Sequence, residues 1–188
     1  GSRDGELRRH LPLFREVVAA LAQHPAIDGV VIPTLPGLAP RVGAAVADWP
    51  VPVTVESDRT ARPALYGRAV VALTVAGTAT LELALARLPM VVSYVMDSQQ
   101  ARVFDQIGRP LVSLPNIILD RPQVTELVQS QPDAQAMIDS LLVLLDNKKA
   151  RQDQIAAFGE LAQLMDSGTS EAPRQDPADR VLSHLKRS

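Results

Sequence analysis

Cysteine is absent from these 188 residues, which excludes a disulfide framework and thiolate metal ligation. The three histidines, His10, His24 and His184, are too scattered to suggest a metal cluster, and neither a metal nor another cofactor is expected. Aromatic residues make up 3% of the chain, too few for the stacking platforms that hold single strands, and a formal net charge of −2 argues against a nucleic-acid partner. No apolar run approaches the roughly 18–20 residues needed to span a bilayer, and the first residues lack the basic-then-apolar pattern of a secretory signal. Lysine is scarce, three residues against sixteen arginines, a bias read as composition rather than chemistry. What the chain does have is 46% apolar residues, enough for one or two compact units with a core.

Along the chain, helical and extended patterns alternate. "ELRRHLPLFREVVAALAQ" puts Leu7, Leu11, Phe14, Val17, Val18 and Leu21 on one helical stripe. "DGVVIPT" and "PVPVTVES" are short β-branched runs bounded by Pro, Gly and Asp, with a helix expected between them over "GLAPRVGAAVAD". "AVVALTV" reads as a third strand, "TLELALARL" as a helix, "PMVVSY" as a strand and "DSQQARVFDQIG" as a helix. This alternation predicts an α/β fold, a Rossmann-like parallel sheet with helices on both faces. After "LVSLPNIIL" the pattern turns helical over "PDAQAMIDSLLVLLDN" and "KKARQDQIAAFGELAQLM". Residues 167–177 read as a linker and "ADRVLSHLKRS" as a terminal helix.

The informative junction is "VAGTATLE", residues 75–82, where a buried run breaks and a helix begins. In open α/β sheets ligands sit beyond the carboxyl ends of strands, where helix N-termini favour an anion. Gly77 has no Cβ to block a phosphate, and Thr78 and Thr80 offer hydroxyls beside the first amides of the helix. Glu82 is suited to accept two hydrogen bonds from a ribose diol. The spacing is equally compatible with an ordinary helix start in which Thr78 caps and Glu82 is solvated.

The segments "GSR" with "ELRRHLPLF", "AGTATLELALARLPMVVSY", "SLPNIIL" and "TELVQ" together resemble the lipid-A-disaccharide synthase family, most closely over residues 69–94 and 111–129. The resemblance implies an inverting, metal-independent glycosyltransferase of the two-domain GT-B type, with this chain similar to its C-terminal, nucleotide-sugar-binding half. It implies UDP-2,3-diacylglucosamine as donor and lipid X as acceptor, giving the tetraacyl disaccharide 1-phosphate and UDP. It implies too that Arg3 faces the donor phosphates, that Gly77, Thr78, Ala79 and Thr80 cradle the diphosphate, and that Glu82 holds the ribose. Asn116, Glu126 and Gln129 become further candidates for the uridine or the transferred sugar. Read without the resemblance, Arg3 is a surface ion pair, Asn116 a turn-forming cap, and Glu126 and Gln129 a solvated helix face.

The same resemblance carries further expectations. The catalytic base would come from an N-terminal domain outside this chain, so that residues 1–146 bind the donor without turnover alone, while residues 147–188 form helices that cross back or exchange between protomers of a homodimer. The family's buried first strand, which ends in "GSR", is not within this sequence, so its neighbours are expected to carry unpaired edges. The parent protein would be cytoplasmic and peripheral at the inner membrane of a Gram-negative bacterium. Three positions depart from the family pattern: Ala76 replaces a serine, Val95 and Asp97 follow Tyr94 in place of a basic segment, and Thr125 replaces a proline. Two other readings remain open at this point, a transferase or epimerase for another UDP-sugar and a non-catalytic interaction module.

Overall fold

A computed structural model describes residues 4–167. Helix α1 (Asp4–Leu21) leads to β1 (Val30–Pro33), α2 (Ala39–Val46), β2 (Val53–Glu56), α3 (Arg62–Arg68), β3 (Ala72–Val75) and α4 (Thr78–Leu85). There follow β4 (Met90–Val95), α5 (Ser98–Gln106), α6 (Leu114–Leu119), β5 (Thr125–Gln129), α7 (Ala134–Asp146) and α8 (Lys148–Ser167). Every strand pairing is parallel. Val30 lies opposite Val53 in a two-stranded sheet, and Ala72 opposite Met90 and Val91 opposite Thr125 in a three-stranded sheet of order β3-β4-β5.

The faces on which the helices pack settle how the strands are wound. Helix α4 joins β3 to β4 on the face where Leu83 and Ala84 meet Met90, Val92 and Phe158 of α8. Helix α2 joins β1 to β2 on the face of α1, where Val42 and Val46 meet Leu7 and Trp49. Right-handed crossovers on opposite faces must step in opposite directions across the sheet. The arrangement is therefore doubly wound, with its reversal between β1 and β3 and helices on both faces, as the alternation predicted.

Between β1 and β3 the hydrogen-bonded sheet is interrupted, and each of these strands pairs on one side only among the described residues. Burial follows the pairing: Met90, Val91 and Val92 of the central strand are fully buried, while Ala72, Leu73, Thr74 and Val75 are each half-buried. Helix α1 spans both sheets. Leu13, Val17 and Leu21 pack on Val91, Val95 and α7, and Leu7 packs beside β1 and β2. This double contact explains why Leu13 and His10, off the expected stripe, are also buried.

Three elements differ from the sequence reading. Residues 62–68 and 114–119 are helices that no long apolar stripe announced, each with a proline in its first turn, a position where its missing N–H costs nothing. Residues 125–129 form β5, so Glu126 and Gln129 stand on a strand and the helix-face alternative is corrected. A five-residue run that does not alternate apolar with polar residues declares no period. The apolar stripe over 148–165 packs within the chain: Ala157, Phe158 and Leu161 of α8 are buried against Leu83, Leu119 and Val124. Gln154 adds a paired amide contact, accepting from Met90 N at 2.9 Å and donating to Met90 O at 3.2 Å. The linker and terminal helix expected over 167–188 lie, from residue 168 onward, outside the described residues. No described helix is long and apolar enough to cross a membrane.

Candidate functional site

The winding reversal lies between β1 and β3, so the loops leaving the carboxyl ends of those strands flank the place where doubly wound sheets bind ligands. The loop after β3 is the Gly-Thr-Ala-Thr motif. Gly77 adopts φ 151° and ψ −168°, a region essentially restricted to glycine, and it is the residue that caps α4. The Thr78 side chain therefore does not cap. A Cβ built on Gly77 would meet no atom within 4 Å, so the backbone here faces open space. Gly77, Thr78 and Ala79 are exposed, and the first amides of α4 have no intrahelical carbonyl to bond. An anion can therefore approach main-chain donors at the positive end of a helix.

Thr80 is turned the other way. It is fully buried, its hydroxyl donates to Gly77 O at 2.7 Å and accepts from Leu114 N at 3.3 Å. It shapes the loop from behind and ties it to α6. From there a polar network runs inward. Glu126 Oε1 accepts from Ser113 N at 2.8 Å, Ser113 Oγ at 2.5 Å and Asn116 Nδ2 at 2.7 Å, and Oε2 accepts from Val112 N at 3.0 Å. Asn116, fully buried, also accepts from Gln123 N and Val124 N, both at 2.8 Å, and donates to Val124 O at 2.8 Å. The side chains of Asn116 and Glu126 are thus spent on fixing the loop before α6 to β5. A cleft of about 360 Å³ opens beside them, lined also by Leu111, Pro122 and Gln123.

Gln129 stands apart from that network, at the carboxyl end of β5, on the wall of a second cleft of about 280 Å³ with Met96, Ala101, Asp105, Arg109 and Val128. Its Oε1 accepts from Asp133 N at 3.4 Å. Glu82, one turn into α4, is paired: Oε2 accepts from Arg62 Nη1 at 3.0 Å and lies 3.5 Å from the Tyr66 hydroxyl. Burial, and next the negative charge of Glu82, raise the Tyr66 phenol above its ordinary 10.0, with Arg62 opposing. Neither Arg62 nor Tyr66 belongs to a motif that sequence reasoning could have singled out; α3 brings them in. Arg3 lies outside the described residues.

The positions that depart from the family pattern have local roles. Ala76 packs half-buried against the α4 core cluster. Val95 is buried against α1, and its N–H donates to His10 Nε2 at 3.1 Å, while Asp97 caps α5 by accepting from Gln99 N and Gln100 N. Thr125 is exposed at the start of β5.

Comparison with known proteins gives one family. The family described as lipid-A-disaccharide synthetase matches residues 1–176. The lipid-A-disaccharide synthase of Rhodospirillum centenum is 36% identical over 185 residues, 97% of this chain and 46% of that protein. Those of Rhodopseudomonas palustris and Nitrobacter winogradskyi are 32% and 34% identical, covering 99% and 100% of this chain and 47% and 48% of their own lengths. The chain thus spans about half the length of the curated relatives it matches.

Proposed function

Because this chain belongs to the lipid-A-disaccharide synthase family, we propose that it holds the nucleotide-sugar donor of a glycosyltransferase of lipid A synthesis. The donor is UDP-2,3-diacylglucosamine and the acceptor lipid X. One observation carries the reading: Gly77, in a glycine-only conformation, opens α4 onto free space beside the winding reversal, with a carboxylate one turn further on. The exposed loop of Gly77, Thr78 and Ala79 takes the diphosphate on backbone N–H groups, with Arg3 adding a guanidinium. Glu82 accepts from the ribose hydroxyls. Thr80, Asn116 and Glu126 hold the loops from beneath, and Gln129 serves the sugar at the lip of its cleft.

In the transfer, the acceptor hydroxyl oxygen attacks the anomeric carbon as the bond to UDP breaks, and the hydroxyl proton goes to a general base on the opposite face. The cradle stabilises the charge that gathers on the departing diphosphate. The base and the acceptor site belong to a part of the enzyme outside these residues, so the chain binds donor and turns nothing over alone. In this reading the parent protein works at the cytoplasmic face of the inner membrane.

Calorimetric titration of UDP into the chain, with GDP as the wrong-base comparison and Glu82→Ala as the site control, tests the proposal. Saturable binding of UDP over GDP, weakened by Glu82→Ala, is expected. A folded chain that binds no uridine nucleotide would replace this reading with that of a non-catalytic relative.

A further inference from the structure

Arg62 stands at the first position of α3, twenty residues before Glu82 in sequence, and its side chain is 16% exposed against 41% for Glu82. The cation is therefore the more desolvated partner of the pair. Its Nη1 donates to Glu82 Oε2 at 3.0 Å, but its Nε is buried without a hydrogen-bond partner among the described residues. An ion pair built only for stability gains most from a two-pronged contact that uses both carboxylate oxygens. Here both neighbours converge on one oxygen: the Tyr66 hydroxyl also approaches Oε2, at 3.5 Å. Oε1 makes no hydrogen bond among the described residues. The carboxylate is thus held by one oxygen and presented by the other.

We propose that Arg62 is a positioning residue for the donor, clamping Glu82 by Oε2 so that Oε1 meets the vicinal hydroxyls of the ribose. The proposal rests on the reading of Glu82 as the ribose acceptor. A glutamate free to rotate loses rotamer entropy when a ligand fixes it, whereas one already held has lost that freedom on folding. The guanidinium acts through Glu82 and touches no part of the nucleotide itself.

The experiment compares UDP with its 2′,3′-dideoxy counterpart by calorimetric titration into the 188-residue chain, for the native sequence, Arg62→Ala, Arg62→Lys, Glu82→Ala and the Arg62→Ala/Glu82→Ala double variant. A hydrogen bond to a charged group sets the native preference for UDP over the dideoxy nucleotide at about tenfold or more. Arg62→Ala is expected to remove most of that preference while leaving dideoxy affinity within about twofold, and to add nothing to Glu82→Ala, because coupled residues are not additive. A merely structural role would weaken both nucleotides alike and leave the preference intact, which would overturn the proposal. So would a loss that grows with the number of phosphates, from uridine to UMP to UDP, since Arg62 would then contact the phosphates. If Arg62→Ala does not melt cooperatively, Arg62→Lys, which keeps the charge and the stem but not the fork, carries the comparison. Native protein that binds UDP without preference for the hydroxyls sinks the Glu82 assignment together with the clamp, and native protein that binds no uridine nucleotide sinks the donor-site reading on which both stand.

Discussion

Asn116 Nδ2 donates to Glu126 Oε1 at 2.7 Å, joining the first turn of α6 to the middle of β5. Both side chains carry the mixed or charged chemistry that suggests a ligand contact, and the fold turns them toward each other. Around them gather Ser113, Val112, Gln123 and Val124, so that one carboxylate and one amide satisfy a loop's worth of main-chain N–H groups. A loop fixed this way holds the Thr80 side of the Gly77 turn in place, because Leu114 N donates to the Thr80 hydroxyl.

Removing the amide should therefore show first in stability. Asn116→Ala strands the buried N–H of Val124 and takes a donor from Glu126, at a cost of about 1–3 kcal/mol for a buried group left without its partner. Urea denaturation is expected to give a lower midpoint at an unchanged slope. An unaltered midpoint combined with lost UDP affinity would instead make Asn116 a ligand contact.

Gly77→Ala separates strain from collision. No neighbour stands within 4 Å of the added methyl, so its cost is the backbone conformation alone, about 1–3 kcal/mol. The methyl points into the space assigned to the diphosphate, so UDP affinity is expected to fall beyond what the lower melting temperature explains. Native-like affinity in a variant that still folds would remove the phosphate from this turn.

The raised Tyr66 phenol predicts an alkaline dependence. Its folded pKa lies above the unfolded value near 10.0, so the folded state retains the proton longer. Its contribution to stability is complete below about pH 10 and is lost as pH rises through the folded value. Chemical denaturation across that range should show a shallower decline in Tyr66→Phe than in the native chain. Identical slopes would mean that the phenol titrates alike in both states.

Helix α8 offers a test of how the C-terminal segment docks. Phe158 is fully buried against Val92 and Leu83, and Phe158→Ala is expected to cost about 3–5 kcal/mol. Docking within one chain makes the melting temperature independent of protein concentration, whereas exchange between protomers makes it rise with concentration. A concentration-dependent melt would show that the helix belongs to a partner's surface in solution.

Most of the order of strands and helices was legible because it is written locally, whereas α3, α6 and β5 were not. Apolar runs bounded by Gly, Pro and Asp announce strands, and the stripe on α1 needs only its own residues to be seen. The Gly77 turn was legible too, because a glycine between a buried run and a helix has few other uses. Glu126 was legible as chemistry but not as geometry. Its segment is five residues long and does not alternate, so no periodicity distinguishes strand from helix, and its partners lie ten to fourteen positions upstream. Arg62 was not legible at all. Nothing in "DRTARPALYG" marks one arginine above the other, and the contact with Glu82 exists only because α3 and α4 flank the same strand.

By itself, the sequence determined most of the alternation of elements, the α/β class and the turn at Gly77, because these depend on neighbours within a few residues. Only the tertiary structure decided which polar groups face outward and which face one another: Thr80, Asn116 and Glu126 inward, Gly77 and Thr78 outward, and Glu82 held by one oxygen. A side chain's direction depends on what packs beside its element, and the partners here come from strands and helices that meet only after the crossovers close.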